Sequence, residues 1–88
     1  MSEYQVTFAR SARRELESLD KKAVGRIFLR IEALARQPRP PGAAKLRGSR
    51  DLWRIRVGDF RVLYRVDDRG RLVDVIAIGD RKEIYRTR

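Results

Sequence analysis

The 88-residue chain contains neither cysteine nor histidine. Without cysteine there is no disulfide framework, no thiolate nucleophile and no zinc–thiolate site. Without histidine, the usual general base near neutral pH and the usual transition-metal ligand are missing. Any catalysis must therefore run on arginine, lysine, tyrosine or carboxylates. Long apolar runs are absent too: none approaches the ~18–20 residues of a membrane span, and the first residues carry no apolar signal-peptide core. The expectation is a soluble, cytoplasmic protein with no membrane partner. No low-complexity tail or internal repeat divides the chain, so residues 1–88 read as one small domain burying roughly 60–65% of its unfolded surface. Acidic residues are in deficit, 12 Asp and Glu against 22 Lys and Arg, leaving a formal charge of +10. That balance favours nucleic acid, an acidic protein or an anionic surface, without choosing among them.

What is present is most informative between Leu52 and Val66, where basic and apolar residues alternate on both sides of Gly58-Asp59. Alternation at period two marks a half-buried strand, and a two-residue Gly-Asp connection marks a hairpin. If Val57 and Phe60 close it, Arg56 faces Arg61, Arg54 faces Leu63 and Leu52 faces Arg65 on one surface. Trp53, Ile55, Val57, Phe60, Val62, Tyr64 and Val66 then fill the other. Like charges opposed across a strand pair are unfavourable, and an anionic ligand would account for that cost.

Upstream, Tyr4, Val6 and Phe8 alternate with polar residues as an opening strand. Ala12, Leu16 and Leu19 share one face of a first helix, with Arg13, Arg14, Glu15 and Glu17 mostly turned to solvent. Asp20 fits the N-cap of a second helix carrying Val24, Ile27, Phe28, Ile31, Leu34 and Ala35 at helical spacing until Pro38. Gly25 inside it costs roughly 1 kcal/mol relative to Ala, which suggests a close helix approach. Pro38-Arg39-Pro40-Pro41-Gly42 is a stiff linker to the second half. After the hairpin, Asp67 to Arg71 form a turn, and Leu72 to Ile78 read as a central strand covered on both faces except near Asp74, ended by Gly79. This order predicts an α+β domain: an N-terminal strand, a helical hairpin, then a three-stranded antiparallel meander, with the helices packed on a twisted, mostly antiparallel sheet.

Five segments in this order, Phe8-Ala9-Arg10-Ser11-Ala12, Leu16-Glu17-Ser18-Leu19, Lys45-Leu46-Arg47-Gly48, Arg54 to Tyr64, and Gly79-Asp80-Arg81-Lys82-Glu83-Ile84-Tyr85, resemble the RelE/ParE superfamily of type II toxin–antitoxin toxins. The match spans essentially the whole chain. The resemblance implies one fold with two activities: RelE-type members cleave messenger RNA on the ribosome through the ribose 2′-hydroxyl without a metal, whereas ParE-type members inhibit DNA gyrase. It also implies a cognate acidic antitoxin, and binding of operator DNA by the toxin–antitoxin complex. A third reading is an inactive module whose one partner is the antitoxin.

By motif position, the RelE-type catalytic set becomes Arg54, Arg56, Arg61, Arg81 and Tyr85, and the hairpin parity independently puts the first three on one face. In 2′-hydroxyl attack, negative charge builds on the non-bridging phosphate oxygens, where fixed guanidinium groups stabilise it. Arg56, Arg61 and Arg81 suit that role, and Tyr85 suits base stacking or proton transfer. Two positions depart from the family pattern. Arg54 and Arg56 stand where RelE proteins often carry lysine, and Asp80 where many relatives carry a basic residue or histidine. Arginine stays protonated, so the general base falls to Tyr85, Glu83, Asp80, Lys82 or a ribosomal group. Lys45, Arg47 and Lys82 are expected to contact RNA phosphates. Trp53 and Tyr64 read as core, Arg13, Arg14, Arg26 and Arg30 as solvated helix surface, and Asp67 and Asp68 as turn residues. No cofactor is expected.

Overall fold

The computed structural model describes residues 3–80. In chain order these form β1 (Gln5–Phe8), α1 (Arg10–Glu17), α2 (Lys21–Ala33), β2 (Ala44–Lys45), β3 (Leu52–Val57), β4 (Phe60–Asp67) and β5 (Leu72–Asp80). The strands make one five-stranded sheet in the order β1-β5-β4-β3-β2. β1 runs parallel to β5, and the other three pairings are antiparallel. The predicted α+β architecture is thus present, with one further short strand, β2, at the sheet edge.

The hairpin takes the predicted register: Val57 pairs with Phe60, Arg56 with Arg61, Arg54 with Leu63 and Leu52 with Arg65. Gly58 opens the turn at φ +61°, in the left-handed region that glycine adopts without strain. Its missing side chain also leaves room for the Arg26 guanidinium, which lies 3.2 Å from where a Cβ would stand.

The apolar side of the hairpin packs under both helices. Ala12 and Leu16 from α1, and Ile27 and Ile31 from α2, join Ile55, Val57, Val62, Tyr64, Val66, Val73, Val75 and Ile78 in one core. Leu19 and Trp53 pack against it as partly buried neighbours. Asp20 caps α2 as predicted, its carboxylate accepting from the Ala23 backbone N–H at 2.8 Å.

Several expectations need correction. α2 ends at Ala33, several residues short of Pro38, because Leu34 to Arg36 close in i→i−3 turns. Phe28 is 42% exposed, so it does not belong to the buried stripe. Gly25 meets no close neighbour at all: a Cβ there would stand in open space. Gly79 does not end the last strand, which continues through Asp80.

The unbroken apolar reading of Leu72–Ile78 also has another cause than coverage of both faces. A register shift opposite Leu63 and Tyr64 pairs Leu63 with Ala77 and Tyr64 with Val75, leaving Ile76 as an extra residue. This bulge brings both Val75 and Ile78 to the helix side despite their odd spacing. Beyond Val75 the strand has outrun β1, and α1 takes over its edge: the Glu15 carboxylate accepts from the Ile78 backbone N–H at 2.8 Å.

Candidate nucleic-acid interface

The two faces of this sheet differ in chemistry. Both helices cover one face, and the other is open. Paired residues in an antiparallel ladder project to the same side, so Arg54, Arg56 and Arg61 stand together on the open face. Arg56 is exposed, whereas Arg54 and Arg61 are half-buried. The Arg61 Nε is fully buried and has no hydrogen-bond partner among the described residues. A buried donor without an acceptor costs about 1–3 kcal/mol, and an anion seated beside it would remove that cost.

The floor next to these arginines is apolar. Leu63 and Ala77 are buried on the open face, and Leu46 packs onto them from the connection between β2 and β3. A guanidinium beside such a floor acts through a lower local dielectric than one in bulk water. In the sequence Leu46 stood only as part of the Lys45-Leu46-Arg47-Gly48 motif and was given no role of its own. Leu63 left a visible signal, as the apolar break in an otherwise arginine-bearing face.

The remaining predicted site residues divide. Lys45, expected to contact RNA phosphates, lies in β2 paired with Trp53, and therefore shares the helix-side face instead of the arginine face. Arg47 is exposed in the β2–β3 connection. Arg81, Lys82 and Tyr85 lie outside the described residues, as does Glu83. Arg13, Arg14, Arg26 and Arg30 are all exposed on the helices. Asp67 serves its turn, accepting from the Gly70 N–H at 3.1 Å.

A polar cluster at the far end of the sheet was also not foreseen. Arg39 holds Asp68 with two hydrogen bonds, 3.2 and 2.8 Å, and Tyr4 donates to the same carboxylate at 2.6 Å. Arg39 also stacks over Trp53, 5.3 Å from the ring centroid. The bonds from Arg39 and then Tyr4 lower the Asp68 pKa, while donation to Asp68 raises that of Tyr4. Beneath the linker, the fully buried Tyr64 donates to the Pro38 carbonyl at 2.6 Å, and burial pushes its pKa up to about 12. This cluster straps the proline-rich linker across the helix side of the sheet, away from the arginine face.

Two helices packed on one face of a five-stranded, mostly antiparallel sheet are the fold of solved RelE structures. The family model described as the ParE toxin of the type II toxin–antitoxin system parDE matches residues 6–85. The chain belongs to the RelE/ParE superfamily of type II toxin–antitoxin toxins. A RelE-like toxin protein of Escherichia coli is 34% identical over 86 residues, covering 93% of this chain and 90% of that one. Toxin RelG of Mycobacterium tuberculosis is 31% identical over 84 residues, covering 94% of this chain and 97% of its own length. Among solved structures, the archaeal RelE–RelB complex of Pyrococcus horikoshii superimposes with a TM-score of 0.81 at 28% identity, covering 94% of this chain and 99% of that one. The intact E. coli RelBE complex gives 0.78 at 26% identity, with 88% and 95% covered.

Proposed function

We propose that this superfamily toxin is a cytoplasmic, ribosome-dependent endoribonuclease that cleaves messenger RNA by metal-independent attack of the ribose 2′-hydroxyl. The observation that carries the reading is the Arg54, Arg56 and Arg61 face, with its opposed charges and an Arg61 Nε that has no partner among the described residues. Charge repulsion and an unmet donor cost folding energy for no structural return, and a phosphodiester transition state satisfies both. The RelE names of the relatives support the same reading. Arg56 and Arg61 would hold the non-bridging oxygens, with Arg81 and Tyr85 completing the set. Arg54 acts as a fixed cation, since a guanidinium does not take up a proton.

The partner that holds the toxin in check is an antitoxin. RelE relatives are found in complex with RelB, and a chain of charge +10 favours an acidic contacting segment. Binding that weakens as salt rises is the expected signature.

In vitro translation with programmed ribosomes tests the activity. Codon-phased cuts that require the ribosome and survive a chelator are expected, and intact messenger in the presence of folded protein would sink the proposal. The match to the ParE family model favours a second reading, inhibition of DNA gyrase without nuclease activity. Loss of supercoiling in a purified gyrase assay, with translation unaffected, would select it.

A further inference from the structure

The bulge in β5 decides what stands beside the arginines. In an unbroken antiparallel ladder running on from the Tyr64–Val75 pair, Leu63 would face Ile76 and Arg61 would face Ile78. The observed register instead pairs Leu63 with Ala77 and Arg61 with Gly79, with Ile76 as the extra residue. Paired residues project to the same side, so the open face receives alanine and glycine in place of two isoleucines. Ile78 goes to the helix-side core at 1% exposure, and Ala77 to the open-face cluster with Leu63. Arg61 is therefore flanked by Arg56 on β3 and by a residue without a side chain on β5. Its Nε, which has no partner among the described residues, thus has no isoleucine from β5 beside it.

A one-residue slip exchanges the faces of every residue beyond it, so this register has to be held. β1 ends opposite Val75, and from there the outer edge of β5 runs beside α1 instead of a strand. Two side chains of α1 meet that edge. The Ser11 hydroxyl donates to the carbonyl of Ile76, the bulged residue itself, at 3.5 Å. The half-buried Glu15 carboxylate accepts from the Ile78 N–H at 2.8 Å. Spaced at i and i+4, they lie on one helix face and grip the strand on both sides of Ala77. The Glu15 bond is the stronger of the two, being shorter and made to a carboxylate.

We propose that Glu15, supported by Ser11, is a positioning residue for the arginine site. By clamping the β5 bulge it keeps Gly79, and not Ile78, beside Arg61, so that a phosphate under attack reaches that guanidinium. The inference rests on the RNA-cleaving reading above and adds to its machinery a residue from the helical layer that touches no substrate.

Amide hydrogen exchange, read together with steady-state cleavage of messenger on programmed ribosomes, tests it. E15A should speed exchange of the Ile78 amide by about 10–100-fold, the loss of one hydrogen bond to a charged group. It should also lower kcat by about 10–100-fold with KM unchanged, the mark of a displaced group that acts in the transition state. E15Q keeps an acceptor oxygen and should restore both. E17A, which loses only the exposed ion pair to Arg13, should change neither. In an R61M background E15A should bring no further loss of cleavage, because its effect runs through Arg61. G79V, which sets a strand-compatible side chain beside Arg61 without touching α1, should reproduce the fall in kcat with Ile78 exchange unaltered. Thermal unfolding confirms that each variant is folded. Unchanged Ile78 exchange in E15A overturns the clamp. Losses that add in the double variant, or full activity in folded G79V, overturn the positioning role. Intact messenger with the folded parent chain overturns the cleavage reading and the positioning role with it, while Ile78 exchange still decides the clamp.

Discussion

The two sides of the β3–β4 hairpin obey different rules although the same backbone makes both. On the helix side, Ile55, Val57, Val62, Tyr64 and Val66 are buried, and every step of the register lowers apolar exposure. On the open side, Arg56 is set across from Arg61, and a buried guanidinium nitrogen has no acceptor among the described residues. The first arrangement explains itself by the hydrophobic effect. The second costs folding energy that an anion seated there would offset. Departures from local consistency of this kind are expected at functional sites.

The sharpest way to break this contrast is to remove an arginine. Arg61→Met should cut ribosome-dependent cleavage by about 10²–10³-fold, the loss typical of one donor aimed at developing charge. The same change should raise unfolding stability by about 1 kcal/mol, because it removes both the opposed charge and the unmet donor. A drop in stability with cleavage intact would make Arg61 structural. On the other side, Ile27→Ala should cost about 2–5 kcal/mol by opening a cavity between α2 and the sheet. Denaturant midpoints should show that loss, with cleavage per folded molecule unchanged.

Tyr64 tests how dry the helix side is. Its pKa is raised to about 12 in the fold, against about 10 in the unfolded chain. A raised value means the folded state holds the proton more tightly, so the contribution is full below pH 10 and is lost as pH rises through 12. Stability should fall by on the order of 2 kcal/mol across that window. Tyr64→Phe should flatten the fall, at a cost of about 1 kcal/mol near neutral pH for the bond to Pro38. An unchanged alkaline profile would place the phenol in water.

The smallest effect sharpens the comparison from outside both faces. Gly25 lies in α2 with open space where a Cβ would go. Gly25→Ala should therefore stabilise by about 0.5–1 kcal/mol, read as a rise in melting temperature with cleavage unaltered. A destabilised variant would restore the close approach that the sequence suggested.

Much of this was legible before any fold was known, and the reasons are local. Strict alternation around Gly58-Asp59 leaves one register that buries the apolar set, so the Arg54, Arg56 and Arg61 face followed from parity alone. The Asp20 cap was equally local, a side chain bonding three residues ahead. Lys45 was misplaced because a two-residue edge strand has too little pattern to be seen. The apolar run of β5 was misread because a bulge changes parity without leaving a compositional mark. Arg81, Lys82 and Tyr85 stay as proposed members of the site on the strength of their motif positions.

By itself the sequence determined every element except β2, the hairpin register, the charge and the family, because each rests on short-range periodicity, capping or ordered motifs. Only the tertiary structure decided which arginines share a surface with Leu46, that the β2–β3 connection is pinned to that surface through Leu63 and Ala77, and that Asp51, Asp67 and Asp74 line one groove. Those are contacts between residues distant along the chain. Burial and the electrostatic field sum over everything nearby in space, so no local pattern specifies them in advance.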